Sequence, residues 1–207
     1  MTSAGRRPRW PGADLPGRRL FVAVPLPPET TASVAALVES VRREGVPGGG
    51  RDVRWVRLDG LHLTLRFIGP TPEDRVDAAR DAVLAAAGAV DPFDVSIGGA
   101  GAFPPFARPR ALWLGLREGE EPLVTLAREV DRALTAAGWT LDEKTFRAHL
   151  TLARSDGVPA GAAIADRLVA AAADFHARFR AERVGLFESL TGGGPARYQP
   201  IETVDLG

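Results

Sequence analysis

The tetrapeptide His-Leu-Thr-Leu stands at residues 62–65 and again at 149–152, in a chain with only three histidines. Two of three histidines opening the same string mark an internal repeat. In a β-strand, residues i and i+2 point to one face and i+1 and i+3 to the other. Each copy therefore turns an imidazole and a hydroxyl to one side and two leucines to the other. Two such strands facing each other would gather His62, His149, Thr64 and Thr151 in one cleft. That set supplies an acid, a base and two hydroxyl donors, enough for proton-transfer chemistry on a phosphate ester.

The surrounding pattern predicts an α+β fold. Residues 19–25 form a short apolar run bounded by charge and proline, read as a buried strand. A helical pattern follows and ends at Gly45. Residues 61–68 alternate and carry the first motif. A second helix runs to about Ala87, and residues 93–97 alternate again. The Gly- and Pro-rich stretch 98–109 reads as a loop, 111–116 as a strand, and 122–137 as a third helix. The second motif strand is expected at 146–153, followed by a fourth helix over 159–175. Residues 178–190 and 197–206 read as two strands of a hairpin turned at Gly192–Gly193–Gly194. The second motif lies 87 residues after the first, and a helix follows each. A duplicated unit of this kind predicts antiparallel sheets packed on helices rather than an alternating doubly wound sheet.

The 207 residues carry 26 basic and 26 acidic side chains, so no global field attracts nucleic acid or an anionic membrane. There is no cysteine, which excludes disulfides, thiolate catalysis and Cys-ligated metals. Lys144 is the only lysine; with Ala, Gly and Pro also abundant, this fits a compositional bias. No apolar run reaches the length of a membrane span. Residues 1–17 read as a disordered Pro-, Gly- and Arg-rich tail without a signal-peptide core, and the expected compartment is the cytoplasm. A monomer is expected.

Paired histidines can also bind zinc, but no His-x-His, HExxH or adjacent carboxylate cluster completes a ligand set, so neither metal nor cofactor is expected. Thr64 and Thr151, beside a histidine in both copies, suit hydrogen bonds to phosphoryl oxygens. Strand parity places Arg66 (i+4 from His62) and Arg147 (i−2 from His149) on the cleft face as candidate phosphate or ribose contacts. It places Arg154 (i+5) on the opposite face. Phe103, Phe106 and Tyr198 are candidates for stacking on a base. His176 lacks the motif and reads as structural.

The runs RLFVAVP at 19–25, LHLTLRFIG at 61–69 and FRAHLTLAR at 146–154 resemble the 2H phosphoesterase superfamily, in its branch of bacterial RNA 2′,3′-cyclic phosphodiesterases, first described as 2′-5′ RNA ligases. The resemblance covers residues 18–206. It implies a single domain (18–207) of two pseudo-symmetric lobes, with the motifs facing each other across a central cleft and no metal. It implies that His62 donates a proton to the leaving ribose oxygen and His149 accepts one from the attacking water. Thr64 and Thr151 would bind the phosphate. The implied reaction opens a 2′,3′-cyclic phosphate, on an RNA 3′ end or a small nucleotide, to a 2′-phosphomonoester. Ala148 departs from the proline the family often carries there, and the tail lies outside the family core. The alternatives are 2′-5′ ligation, with a ribose hydroxyl as nucleophile, and a binding module without turnover.

Overall fold

The computed structural model describes residues 17–45, 53–104, 108–143, 145–155, 157–192 and 195–207. Most of the tail expected at 1–17 therefore lies outside the described residues, as do Phe106 and part of the Gly192–Gly194 turn.

Two antiparallel sheets form the frame. The first has the order β3-β1-β8-β9, from β1 (Arg18–Pro25), β3 (His62–Thr71), β8 (Arg183–Leu190) and β9 (Arg197–Asp205). The second has the order β2-β6-β5-β4-β7, from β2 (Arg54–Trp55), β4 (Phe93–Phe103), β5 (Ala111–Glu118), β6 (Leu150–Arg154) and β7 (His176–Ala181). The motif strands occupy matching places: β3 pairs with β1, and β6 with β5. The α+β class, with two pseudo-symmetric lobes, is as expected from the repeat.

Among the described residues, four helices close the layers, and each is amphipathic for a readable reason. Helix α1 (Pro28–Arg43) starts with a proline in its first turn and buries Val34, Leu37, Val38 and Val41 at helical spacing. Helix α3 (Glu120–Ala136) buries Leu123, Leu126, Val130 and Leu134. Helix α2 (Val76–Ala87) buries Ala and Val, which allows close packing, and α4 (Pro159–Ala171) buries Gly161, Ile164 and Leu168. The assignment of helices to sheets is crossed. Helix α1 follows β1 of the first sheet but packs with α4 and against β7 of the second. Helix α3 follows β5 of the second sheet but packs with α2 and against β3 of the first. The apolar core runs continuously through both layers, from Leu20, Val22 and Leu63 to Leu114, Leu150 and Leu152, all at most 1% exposed.

Three expectations change. Strand β4 continues through Phe103, where glycine and proline suggested a loop. A Cβ on Gly101 would collide with the Trp113 ring, so this glycine makes room for an indole on the neighbouring strand. Strand β6 starts at Leu150, so His149 and the residues before it lie outside the ladder. The run 178–190 is two strands in different sheets, with Glu182 between β7 and β8.

Candidate active site

The two motif strands approach each other, and one cavity collects His62, Thr64, Phe67, Thr151, Arg154 and Tyr198 with Val56, Gly60 and Leu61. The threonines come from different sheets. The i/i+2 rule holds through this part of each motif: Leu63 and Leu65, Leu150 and Leu152 are core, as expected.

Beyond the threonines, parity breaks in both copies at the same place. Ala23 pairs with Thr64 and Val22 with Arg66, leaving Leu65 as an extra residue in β3. Trp113 pairs with Thr151 and Leu112 with Ala153, leaving Leu152 as an extra residue in β6. A bulge of this kind puts two residues opposite one and re-aims the side chains beyond it. Arg66, expected in the cleft, instead turns to the helix side, where its guanidinium grips Asp131 of α3 in two bonds and Asp142 at 2.7 Å. Arg154, expected on the opposite face, lines the cavity. The residue aligned with it in the first copy is Phe67, 47% exposed on the same cavity wall.

Each histidine is fixed in the same way. Nδ1 of His62 donates to the carbonyl of Gly60 at 2.7 Å, and Nδ1 of His149 to that of Arg147 at 2.7 Å. A carbonyl oxygen only accepts, so both bonds place a proton on Nδ1 and leave Nε2 for a substrate. The rings rest in aromatic clusters. Tyr198 meets His62 edge-on at 4.7 Å, and Phe21 lies 4.9 Å from it, with Phe187 behind. Phe103 meets His149 edge-on at 5.3 Å and also touches Trp113. Of the three aromatics expected to stack on a base, Phe103 and Tyr198 are thus brought to the histidines. Arg147 is exposed, with its guanidinium 5.9 Å above Phe103. His176 lies on β7 with a local contact to the Asp174 carbonyl.

Burial pushes His62 below the ordinary imidazole value of 6.5, opposed by the Gly60 bond. Burial also lowers His149; the Arg147 carbonyl acts against it and the positive charge of Arg154 adds to the lowering. Both rings are therefore poised to be neutral near pH 7. Burial raises the Tyr198 hydroxyl, and Arg154 pulls it the other way. Beside the cavity, sharing Gly60 and Tyr198, lies a second cleft of about 190 Å³ lined by Arg57, Asp59 and Arg197. Among the described residues, no three of His, Cys, Asp and Glu gather as a metal site would need, and no helix is long and apolar enough to cross a membrane.

Residues 26–193 match the 2′-5′ RNA ligase superfamily. The chain is a member of that superfamily. It is thus a 2H phosphoesterase. Among similar proteins, an RNA 2′,3′-cyclic phosphodiesterase of Geobacillus stearothermophilus is 33% identical over 135 residues, which is 65% of this 2H phosphoesterase and 41% of the relative. One of Aeropyrum pernix is 36% identical over 124 residues, 60% of this chain and 66% of the relative. The match thus spans less than two thirds of the length of either. In fold, E. coli LigT complexed with 3′-AMP superposes with a TM-score of 0.70 at 24% identity, covering 91% of this chain and 98% of that one.

Proposed function

We propose that this protein hydrolyses RNA-terminal 2′,3′-cyclic phosphates to 2′-phosphomonoesters by two-histidine acid–base catalysis without a metal. The observation that carries the reading is a cavity that gathers His62, Thr64 and Thr151 from the two motif strands, with each motif histidine tied through Nδ1 to the carbonyl two residues earlier. The two similar proteins named RNA 2′,3′-cyclic phosphodiesterase support the same reaction.

The chemistry rests on the proton inventory. Neutral His149 accepts the proton of a water at Nε2 as the oxygen attacks phosphorus. The bond from phosphorus to the 3′ oxygen breaks, and that oxygen takes the proton of protonated His62. Protonated His62 carries hydrogen on both nitrogens, so its bond to Gly60 persists. Its aromatic setting disfavours the charge in the free protein; a bound phosphate anion offsets that and charges the ring when substrate arrives. Thr64 and Thr151 donate to the non-bridging oxygens, and Arg154 balances their charge. Arg147 and Phe103 flank His149, and Phe67 and Tyr198 offer apolar faces to a base. Arg66 has no part in phosphate contact.

RNA is favoured over a lone nucleotide by the adjoining cleft, where Arg57 and Arg197 lie a short step from the cavity and offer room for the preceding phosphodiester. Because both lobes contribute to the site, residues 18–207 act as one unit in this reading. The test is to incubate purified, EDTA-treated protein with an RNA ending in a 2′,3′-cyclic phosphate. Gain of one water with a 2′-phosphate is expected, read by mass and phosphatase sensitivity. Binding without turnover would overturn the reading, and joining of a 5′-hydroxyl end would reassign it to ligation.

A further inference from the structure

The Arg66 side chain is only 10% exposed, and its guanidinium holds two carboxylates at once. Nε and one terminal nitrogen engage Asp131 of α3 in the fork geometry that suits arginine. The other terminal nitrogen donates to the Asp142 carboxylate at 2.7 Å and to its backbone carbonyl at 3.3 Å. These partners belong to the second repeat, whereas Arg66 lies four residues after His62 on the first motif strand. Asp142 lies seven residues before His149, in the segment between α3 and β6. In its described residues that segment carries no ladder bonds. Its start is pinned by the Arg75 guanidinium 4.2 Å over Trp139 and bonded to the Ala137 carbonyl at 2.9 Å. Arg66 supplies the next hold at Asp142, and Phe146 and Ala148 then pack against the core before His149. The aligned residue of the second copy is Ala153, so the brace exists on one side only.

We propose that Arg66, through Asp142, is a positioning residue that sets where His149 stands relative to His62. The inference rests on the two-histidine reaction proposed above. Misplacing a reacting group by about 1 Å can cost about a hundredfold in rate. A lysine at position 66 keeps a charge near Asp131 but cannot grip two carboxylates in a plane.

The test compares Arg66→Lys, Asp142→Ala and the double variant, using hydrolysis of an RNA 2′,3′-cyclic phosphate and the imidazole NMR titration of His149. Asp142 is 48% exposed, so its replacement leaves the fold intact. Each single variant is expected to lose about tenfold to a hundredfold in kcat with KM unchanged, and Asp142→Ala should also keep its Tm. The double variant should be no worse than either, since the bond is already lost. The His149 titration should move up toward 6.5 or split into two signals, while His62 stays in place. Full kcat in Asp142→Ala, or a loss of kcat that tracks a fall in Tm, would overturn the proposal. If the wild type does not open the cyclic phosphate, the reaction is wrong but the brace is still decided by NMR: an unchanged His149 signal in both variants rejects it.

Discussion

The two halves of the site share one plan and differ in what surrounds it. In both, a histidine fixed through Nδ1 is followed by a threonine on the same face and then by a bulge at the second leucine. Around His62 the wall is aromatic and closed: Phe21, Phe187, Tyr198 and, past the bulge, Phe67. Around His149 it is open and cationic, with Arg147 beside Phe103 and, past the bulge, Arg154. In the proposed reaction, duplication supplies the matched acid and base, and divergence two positions past the bulged leucine offers a base a surface on one side and a phosphate a charge on the other. On that reading, what stays equal serves the proton transfers and what differs orients the substrate.

The sharpest way to break this comparison is to remove either imidazole. His62→Ala and His149→Ala should each lower cyclic-phosphate hydrolysis by about 10²–10⁴-fold, with Tm retained. A large effect in only one of them would make the halves unequal in chemistry and not just in surroundings. Arg154→Gln should cost about 10–100-fold in kcat/KM, the scale of one lost charge-assisted hydrogen bond of about 1.5–3 kcal/mol. Because Arg154 depresses His149, the same variant should move the acidic limb of the pH–rate profile to higher pH. Phe67→Gln, at the aligned position, should leave that limb where it is. Thr64→Ala and Thr151→Ala should each cost about tenfold, equivalent to about 1.4 kcal/mol, and equal losses would confirm that the threonines remain a matched pair.

The smallest effect concerns stability. Both histidines have folded-state values below 6.5, so the unfolded chain binds more protons as the pH falls through that value. Tm should therefore be highest above about pH 7 and decline toward pH 5, and His62→Ala should flatten the decline. A Tm that rises on acidification would show that the aromatic setting of His62 does not disfavour its charge.

The repeat, the α+β class and the four motif side chains are legible in the sequence because each rests on local periodicity. Legibility ends where a single extra residue reverses parity. Strand alternation assigns Arg66 and Arg154 to the wrong faces because nothing in Leu65 or Leu152 marks a bulge, and identical tetrapeptides carry no internal contrast. Apolar pattern alone extends the second motif strand back to 146, whereas Phe146 and Ala148 pack as half-buried coil. Gly98–Phe103 resembles a loop because glycine in a strand is explained by the bulk of its neighbour, here Trp113, which lies on another strand. The break at Glu182 arises from two sheets competing for one apolar run. Phe21, Phe187 and Trp113 escape notice as neighbours of the histidines because their strands are distant in sequence.

Strand β1 meets its two neighbours at very different times during synthesis. Its residues Leu20–Val24 are almost entirely buried. β3 is available soon after it, but β8, which covers its other edge, begins about 160 residues later. At about 5–20 residues per second, a ribosome leaves that edge uncovered for roughly ten to thirty seconds. Over that interval the nascent chain presents an apolar strand with unpaired backbone groups, the kind of edge to which other chains add. A protein released before β8 would keep that edge permanently, so premature termination near the C-terminus should yield aggregates rather than a trimmed enzyme.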